Sequence, residues 1–281
     1  MYTITVNNGG TSEIIHENAP ESLRRLRSGK WADEVNCIPS FDFSMLPFHP
    51  SYSSLHDRKT IVSVLNNITN ETDFEGPLIM SEEEMTAGGK VCKSCICEGY
   101  LGYLCDSIQP YHHYESKTVT EFLTALLEYH NSVTPEEKHI YLGSCDFSGD
   151  NTNSKTTAYR NTLEEIKVNL IQRIGGEVRI RKADGRLVLD FLKQYGNKCS
   201  TVIELAKNIR SLEVSSDSSN IITRLVPLGA QLSDDSAERL TIADVNGGCV
   251  YIDDTAAVEK YGVIMGTQIF DDITLPENLI Q

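Results

Sequence analysis

Four cysteines stand within fourteen residues: Cys92, Cys95, Cys97 and Cys105, spaced C-x2-C-x-C-x7-C. Four thiolates can hold Zn²⁺ in a tetrahedron. A structural zinc site usually draws two such pairs from separate turns. Here Cys95 and Cys97 alternate inside a run that reads as a strand, so both point to one face. Buried thiols packed as small hydrophobes are favoured over a zinc site. No metal ligand and no cofactor is assigned.

The other candidates are weaker. His112-His113 lies between Tyr111 and Tyr114, but neighbours on a strand point apart and no carboxylate is spaced to orient them. Cys145 follows Gly143-Ser144 and precedes Asp146. It reads as a strand end, because a nucleophilic thiol needs a paired histidine and no local signature supplies one. Neither a G-x-S-x-G elbow nor a phosphate-binding glycine loop occurs. Glu82-Glu83-Glu84 reads as a solvated acidic turn. Arg179, Arg181, Lys182 and Arg186 form the single basic concentration, on a hairpin with no aromatic residue interleaved to stack bases. No catalytic residue is assigned, and the chain is read as non-enzymatic.

The elements that must position these residues follow from periodicity. Tyr2–Val6 alternates up to Asn-Asn-Gly-Gly, with Ser12–Ile15 as its hairpin partner. Cys37–Pro47, Arg58–Leu65 and Phe74–Met80 are further strands, and a short turn or helix is expected around residues 20–28. Lys93–Tyr103 reads as strand-like. Thr118–Asn131 is a helix opened by a Thr118/Glu121 capping box. His139–Leu142 is a short strand. Thr156–Ile174 is a second helix, closed by Gly175. Glu177–Arg181 and Arg186–Leu189 pair about Asp184-Gly185. Val202–Ser211 fits a helix or a strand equally well. Ile221–Ala230 is a strand in which Pro227 implies an edge or bulge. Arg239–Ala243 and Cys249–Ile252 flank a hairpin signal, and Thr255–Tyr261 is a helical turn or two. The order is β, then α+β, then β. It gives an α+β fold with a first β module over 1–107, an inserted α+β domain over 108–212 and a second β module over 213–281; the two β modules are either one β domain interrupted by the insert or two separate β domains.

The 281 residues carry 25 basic and 40 acidic side chains, a net charge of −15. Residues 213–281 alone hold 3 basic and 12 acidic ones. A nucleic-acid binder needs the opposite balance to neutralise phosphates. No apolar run approaches the length of a membrane helix, and MYTITVNNGG has no secretory pattern. The chain is therefore expected to fold in a cytosol with its eight cysteines reduced.

Several segments, in order, resemble one family. They are FDFSMLP (Phe41–Pro47), CEGYLGYLCDS (Cys97–Ser107), GGEVRIRKADGRLVL (Gly175–Leu189), NIITRLVPLGA (Asn220–Ala230), YIDD (Tyr251–Asp254), Tyr261-Gly262 and ITLPENL (Ile273–Leu279). The order is similar to the N-terminal region of phage and prophage tail proteins of the tail-associated lysin, or prophage endopeptidase tail, family. The resemblance implies a baseplate-hub-like fold of two β-barrel-like, tube-forming modules with the α+β domain inserted. It implies a homotrimer that joins the tail tube to the distal tip and passes DNA as cargo. Implied partners are further copies of the chain, distal tail proteins and tail tube proteins, with no specific nucleic-acid binding and no membrane. Implied locations are the virion tail tip and, during assembly, the host cytoplasm. Many members continue into a peptidoglycan-cleaving extension. This chain stops at Gln281, so the lytic part is expected to be absent.

An acidic hub suits a DNA conduit, since carboxylates repel passing phosphates. Part of 213–281, including Asp253, Asp254, Asp271 and Asp272, is expected to line or rim the lumen. Two alternatives stand beside the hub: a tail endopeptidase acting on peptidoglycan, and a receptor- or glycan-binding module. The first lacks a nucleophile–base pair. The second lacks clustered aromatics, with Trp31 the single tryptophan.

Overall fold

The computed structural model describes residues 2–19, 22–85, 89, 91–147, 154–196, 199–209, 211–215, 217–233 and 237–280. The chain divides into two units, Met1–Gly196 and Asn197–Gln281.

The first unit opens with seven strands in one sheet: β1 (Tyr2–Asn8), β2 (Thr11–His16), β3 (Ser28–Ala32), β4 (Ser40–Met45), β5 (Ile61–Asn66), β6 (Glu71–Met85) and β7 (Val91–Glu98). Their order is β2-β1-β5-β6-β7-β4-β3. The β1–β2 hairpin forms as the Asn-Asn-Gly-Gly signal requires. Strand β6 serves twice: Glu71–Pro77 pairs with β5, and Leu78–Met85 pairs with β7 after a register shift between Leu78 and Met80. Alternation sends Val6, Phe41, Phe43, Val62, Val64 and Phe74 into one apolar cluster.

The expected barrels are corrected in part. The described strands form open sheets, with β2 and β3 at the two edges of the largest. No helix forms over described residues 22–28, and residues 20 and 21 lie outside the described set. Instead Leu26 N–H donates to His16 Nδ1 at 3.2 Å, and the edge strand β3 follows. The Gly88-Gly89 turn falls partly outside the described residues. Glu82-Glu83-Glu84 is strand, not turn: it lies on exposed β6, and Glu83 meets Lys93 of β7 at 3.1 Å.

After β7 the chain tightens into a 3-10 helix, Tyr100–Asp106, where continued strand was expected. Leu101 and Leu104 turn inward there and begin a second apolar cluster. Strand β8 (His112–Tyr114) precedes helix α1 (Val119–Val133). Both capping-box bonds of α1 are present. Burial of Phe122, Leu123, Leu126, Leu127 and His130 follows the helical period. Then come β9 (Ile140–Cys145), β10 (Lys155–Thr157), α2 (Thr162–Ile166) and α3 (Gln172–Ile174), with a π turn over Lys167–Ile171. The second helix therefore starts six residues later than expected. Lys155–Thr157 pairs with β8, and Asn161 supplies the cap by accepting from Glu164 N–H. Strands β11 (Glu177–Ala183) and β12 (Arg186–Leu192) form the expected hairpin. Asp184 and Gly185 adopt φ of 50° and 76°, the left-handed pair that such a tight turn demands. Strand β9 joins β12 in parallel.

The second unit is lean in regular structure. Strand β13 (Arg224–Leu228) lies between β14 (Ile252–Asp253) and β15 (Met265–Ile269). β14 reaches only Arg224 and Leu225, so Pro227 faces no partner strand on that side, as its missing N–H requires. Helix α4 (Thr255–Tyr261) is capped by Asp254 and stopped at Gly262 with φ 77°. The short α5 (Pro276–Leu279) follows. The expected Arg239–Ala243/Cys249–Ile252 hairpin does not form. Residues 242–249 are a chain of turns, held where Asn246 Nδ2 donates to the carbonyls of Cys249 and Tyr251. Described residues of 202–211 are neither helix nor ladder, beyond one bridge between Leu205 and Ile209.

Candidate functional site

The cysteine run lies on β7 and the turn after it. Cys95 and Cys97 face one side, into the sheet's apolar cluster, as alternation predicts. Cys92, of opposite parity, faces the other side, and Cys105 is exposed on the 3-10 helix. Burial pushes the Cys95 thiol up to about 12 and the Cys97 thiol higher still. Burial thus disfavours the thiolate at both positions. Among the described residues no group of three or more His, Cys, Asp or Glu side chains is placed to hold a metal.

His112 and His113 sit exposed on β8. His113 Nδ1 meets Thr156 Oγ1 at 2.9 Å, and His112 packs edge-on to Tyr114. Cys145 ends β9 and packs against the second apolar cluster. Gly143, two residues earlier, is required by packing: a Cβ there would lie 2.2 Å from Asp190 Oδ1.

The basic hairpin is the largest departure from the sequence reading. In space, aromatic rings do accompany it. Arg179 lies 4.5 Å over the Tyr195 ring, Lys182 5.1 Å over Tyr100 and Arg186 5.3 Å over Tyr141. These rings come from distant positions, so no local pattern could show them. Carboxylates join them: Asp33 at 2.9 Å from Arg179 and Glu75 at 2.6 Å from Lys182, both from distant positions, and Asp190 of the same hairpin at 2.5 Å from Arg181. Burial raises the Asp190 carboxyl, but the Arg181 bond, the Ser144 amide and the Arg181 charge outweigh it and hold the group below its ordinary range. Arg179, Arg181, Lys182, Asp33, Glu75 and Tyr195 line a cleft of about 650 Å³ between the seven-stranded sheet and the hairpin. Asn36 spans it, donating to Gly176 O at 3.0 Å and accepting from Val178 N–H at 2.9 Å. Arg179, Arg181 and Lys182 thus each meet a carboxylate from the same unit, and the Arg179–Asp33 and Lys182–Glu75 pairs fasten the hairpin to the sheet side.

A buried polar chain escaped the sequence reading. Lys138 O can only accept, so His130 Nε2, 3.1 Å away, carries the ring proton. Nδ1 then accepts from Ser107 Oγ at 2.7 Å. Ser107 Oγ accepts from Thr162 Oγ1 at 2.7 Å, and Thr162 Oγ1 accepts from Gln109 Nε2 at 2.7 Å. The second Gln109 hydrogen reaches Leu126 O at 3.0 Å. All four side chains are buried. Burial chiefly holds the His130 ring below its ordinary pKa. The Ser–His contact resembles a nucleophile–base pair, but Ser107 is 2 % exposed and its hydroxyl is hydrogen-bonded on both sides. Its effect is to tie α1, α2 and the 3-10 helix together.

In the second unit the segments that carried the resemblance come together. Arg224 of TRLVPLG forms a bidentate bond to Asp253 of YIDD, at 2.6 and 2.7 Å, and lies 3.8 Å over the Tyr251 ring. Thr223 Oγ1 donates to Gly262 O at 2.8 Å and accepts from Ile264 N–H at 2.7 Å. A Cβ on Gly229 would meet Ile273 O at 2.7 Å, and one on Gly266 would meet Ile222 at 2.4 Å. Of the four aspartates expected at a lumen, Asp253 is thus paired with Arg224, Asp254 caps α4 and Asp271 meets Arg239 at 2.5 Å.

Against this geometry the comparisons agree. Residues 197–281 match the family described as prophage endopeptidase tail. The whole chain has the fold of solved tail proteins. It is similar to the prophage tail protein gp18 from Listeria monocytogenes EGD-e, with 16% identity, 97% of this chain and 74% of that chain covered, and a TM-score of 0.60. It is similar to a tail protein from Neisseria meningitidis MC58, with 15% identity, 99% and 74% covered, and a TM-score of 0.58. It is also similar to the 43 kDa tail protein of prophage MuSo2 from Shewanella oneidensis, with 12% identity, 100% and 76% covered, and a TM-score of 0.61. No curated protein matches the chain in sequence. The chain thus has the fold of these tail proteins, mixed α+β and built mostly of sheets.

Proposed function

We propose that this chain is a phage tail protein and a structural part of the tail tip, a baseplate hub that joins the tail tube to the distal tip as a homotrimer and lets DNA pass. One observation carries the reading: the tail-protein fold runs through essentially all of the chain, while its chemically suggestive groups are occupied in holding that fold. In this reading the chain is not an enzyme. The modules over 1–107, 108–212 and 213–281 divide the work between tube and periphery. Asp253 and Asp271 reach a lumen as arginine-paired groups, their charge partly offset.

Light scattering over a concentration series, followed by negative-stain imaging of the largest species, tests this. A trimer with a central hole is the expected result, on its own or after addition of tail tube protein. A compact dimer without a pore, or clearing of a peptidoglycan suspension by the pure protein, would overturn it.

A further inference from the structure

The seven-stranded sheet carries two open edges of opposite charge. The basic one escaped the sequence reading: Arg24–Lys30, RRLRSGK, runs into β3 with four cations and no carboxylate. Strand β3 is the last of its sheet, and all five of its residues are exposed. Arg24 is held by Glu13, and Arg25 donates to the Ala19 carbonyl. Arg27 and Lys30 have no carboxylate within ion-pair distance among the described residues.

The acidic edge is the far half of β6. Pairing with β5 ends at Pro77, and Ser81 still donates to Asp57 at 2.9 Å. From Glu82 to Met85, β6 has β7 on one side and, among the described residues, no strand on the other. Glu82 and Glu84 are exposed and share a face, and neither has an ion pair among the described residues. Glu83, on the opposite face, is taken by Lys93. Pairing of β4 with β7 stops at Met45 and Lys93, so Glu84 and Met85 stand clear of the sheet as a two-stranded ribbon with Val91 and Cys92. Met85 is 76% exposed.

Within one copy β7 and β4 hold the two edges three strand spacings apart, about 14 Å, and the edges face opposite ways. They can meet only between copies. Two β3 edges would set cation against cation, and two β6 edges carboxylate against carboxylate, so both like pairings are disfavoured. Only β3 against β6 brings opposite charges together. The lengths also match, with five residues in β3 and four on the open part of β6. Such a contact is head to tail, and its repetition closes a ring. We infer that β3 of one copy docks along Glu82–Met85 of the next, with Arg27 and Lys30 against Glu82 and Glu84 and with Trp31 covered in the joint. The inference rests on the homotrimer of the hub reading and names the surface that joins its copies.

Trp31 is the single tryptophan and is 40% exposed, so its emission reports on the joint. Sedimentation velocity and Trp31 fluorescence are followed together over a concentration series of the whole protein at low salt. The expected result is a blue shift that grows with the oligomer, both fading as added salt screens the charges. Arg27→Glu with Lys30→Glu should weaken association about tenfold. Adding Glu82→Lys and Glu84→Lys to that chain should restore it. Oligomers whose Trp31 emission is unshifted, or which ignore the charge reversal, would overturn the contact and leave the hub reading standing. A monomer at every concentration would also overturn it, since copies of the hub would then be joined by the tail tube alone. A Trp31 shift evoked by duplex DNA and not by concentration would give the edge to a polyanion and overturn it too. An oligomer without a pore that obeys both reversal and rescue would support the contact and overturn the hub reading instead.

Discussion

The polar chain through Ser107 makes a quantitative claim. Ser107→Ala removes the donor to His130 Nδ1 and the acceptor of Thr162, both in a site closed to water. Leaving buried polar groups unmatched costs about 2–3 kcal/mol here. Thr162→Val keeps the shape and removes one hydroxyl. Ser107 can still donate to His130, and Gln109 keeps its bond to Leu126 O, so about 1–2 kcal/mol is expected. In the double variant the Ser–Thr bond is already gone, so the total should be roughly 3 kcal/mol, below the sum of the singles. For a unit of this size a loss of about 2 kcal/mol lowers Tm by roughly 4–8 °C. Trp31 is the single tryptophan and lies in the first unit, so its fluorescence follows that unit's unfolding. Costs that add within about 0.3 kcal/mol, or singles that leave Tm unchanged, would refute a continuous chain of bonds.

Three further outcomes follow. His130 has a lowered pKa, so the folded state resists taking its proton; this stability is full above about pH 6.5 and falls as acid protonates the unfolded chain first. Urea midpoints should drop from pH 7 to 5.5 and drop less in His130→Gln; an equal slope in both would discount the histidine. Gly76→Ala should cost more than about 3 kcal/mol and leave the protein largely insoluble, because a Cβ would lie 1.9 Å from the Glu98 carbonyl oxygen. Soluble protein with an unchanged midpoint would contradict that packing. A thiol reagent on the native protein should label Cys37, Cys105 and Cys199 within minutes and reach Cys95 and Cys97 only on unfolding. Immediate labelling of Cys95 or Cys97 would mean that the sheet's core is open.

What the sequence revealed was local. The Thr118/Glu121 cap, the Asp184-Gly185 turn and the β1–β2 hairpin each need a few adjacent residues, and each forms as read. The inward pair Cys95 and Cys97 needed only alternation. The failures are matters of distance. Nothing near Arg179 announces Asp33 or Tyr195, and nothing near Ser107 announces Thr162. Lys155–Thr157 has helical company in sequence but finds a strand partner in β8, and pairing outweighs propensity. Arg239–Ala243 has the pattern of a strand but no ladder partner among the described residues beyond one bridge to Gln231.

The clasp between Arg224 and Asp253 bears on how such chains drift over time. A unit held by oily packing tolerates exchange of one aliphatic residue for another, so its letters wander while its shape persists. The second unit has no such latitude. Its arginine and aspartate, 29 positions apart, lose their value singly, and Gly229 and Gly266 leave no space for a side chain. The two motifs are therefore coupled in their contribution to the fold. A lineage that surrenders the acid should surrender the base as well, so the least densely packed part of the molecule keeps the most legible ancestry.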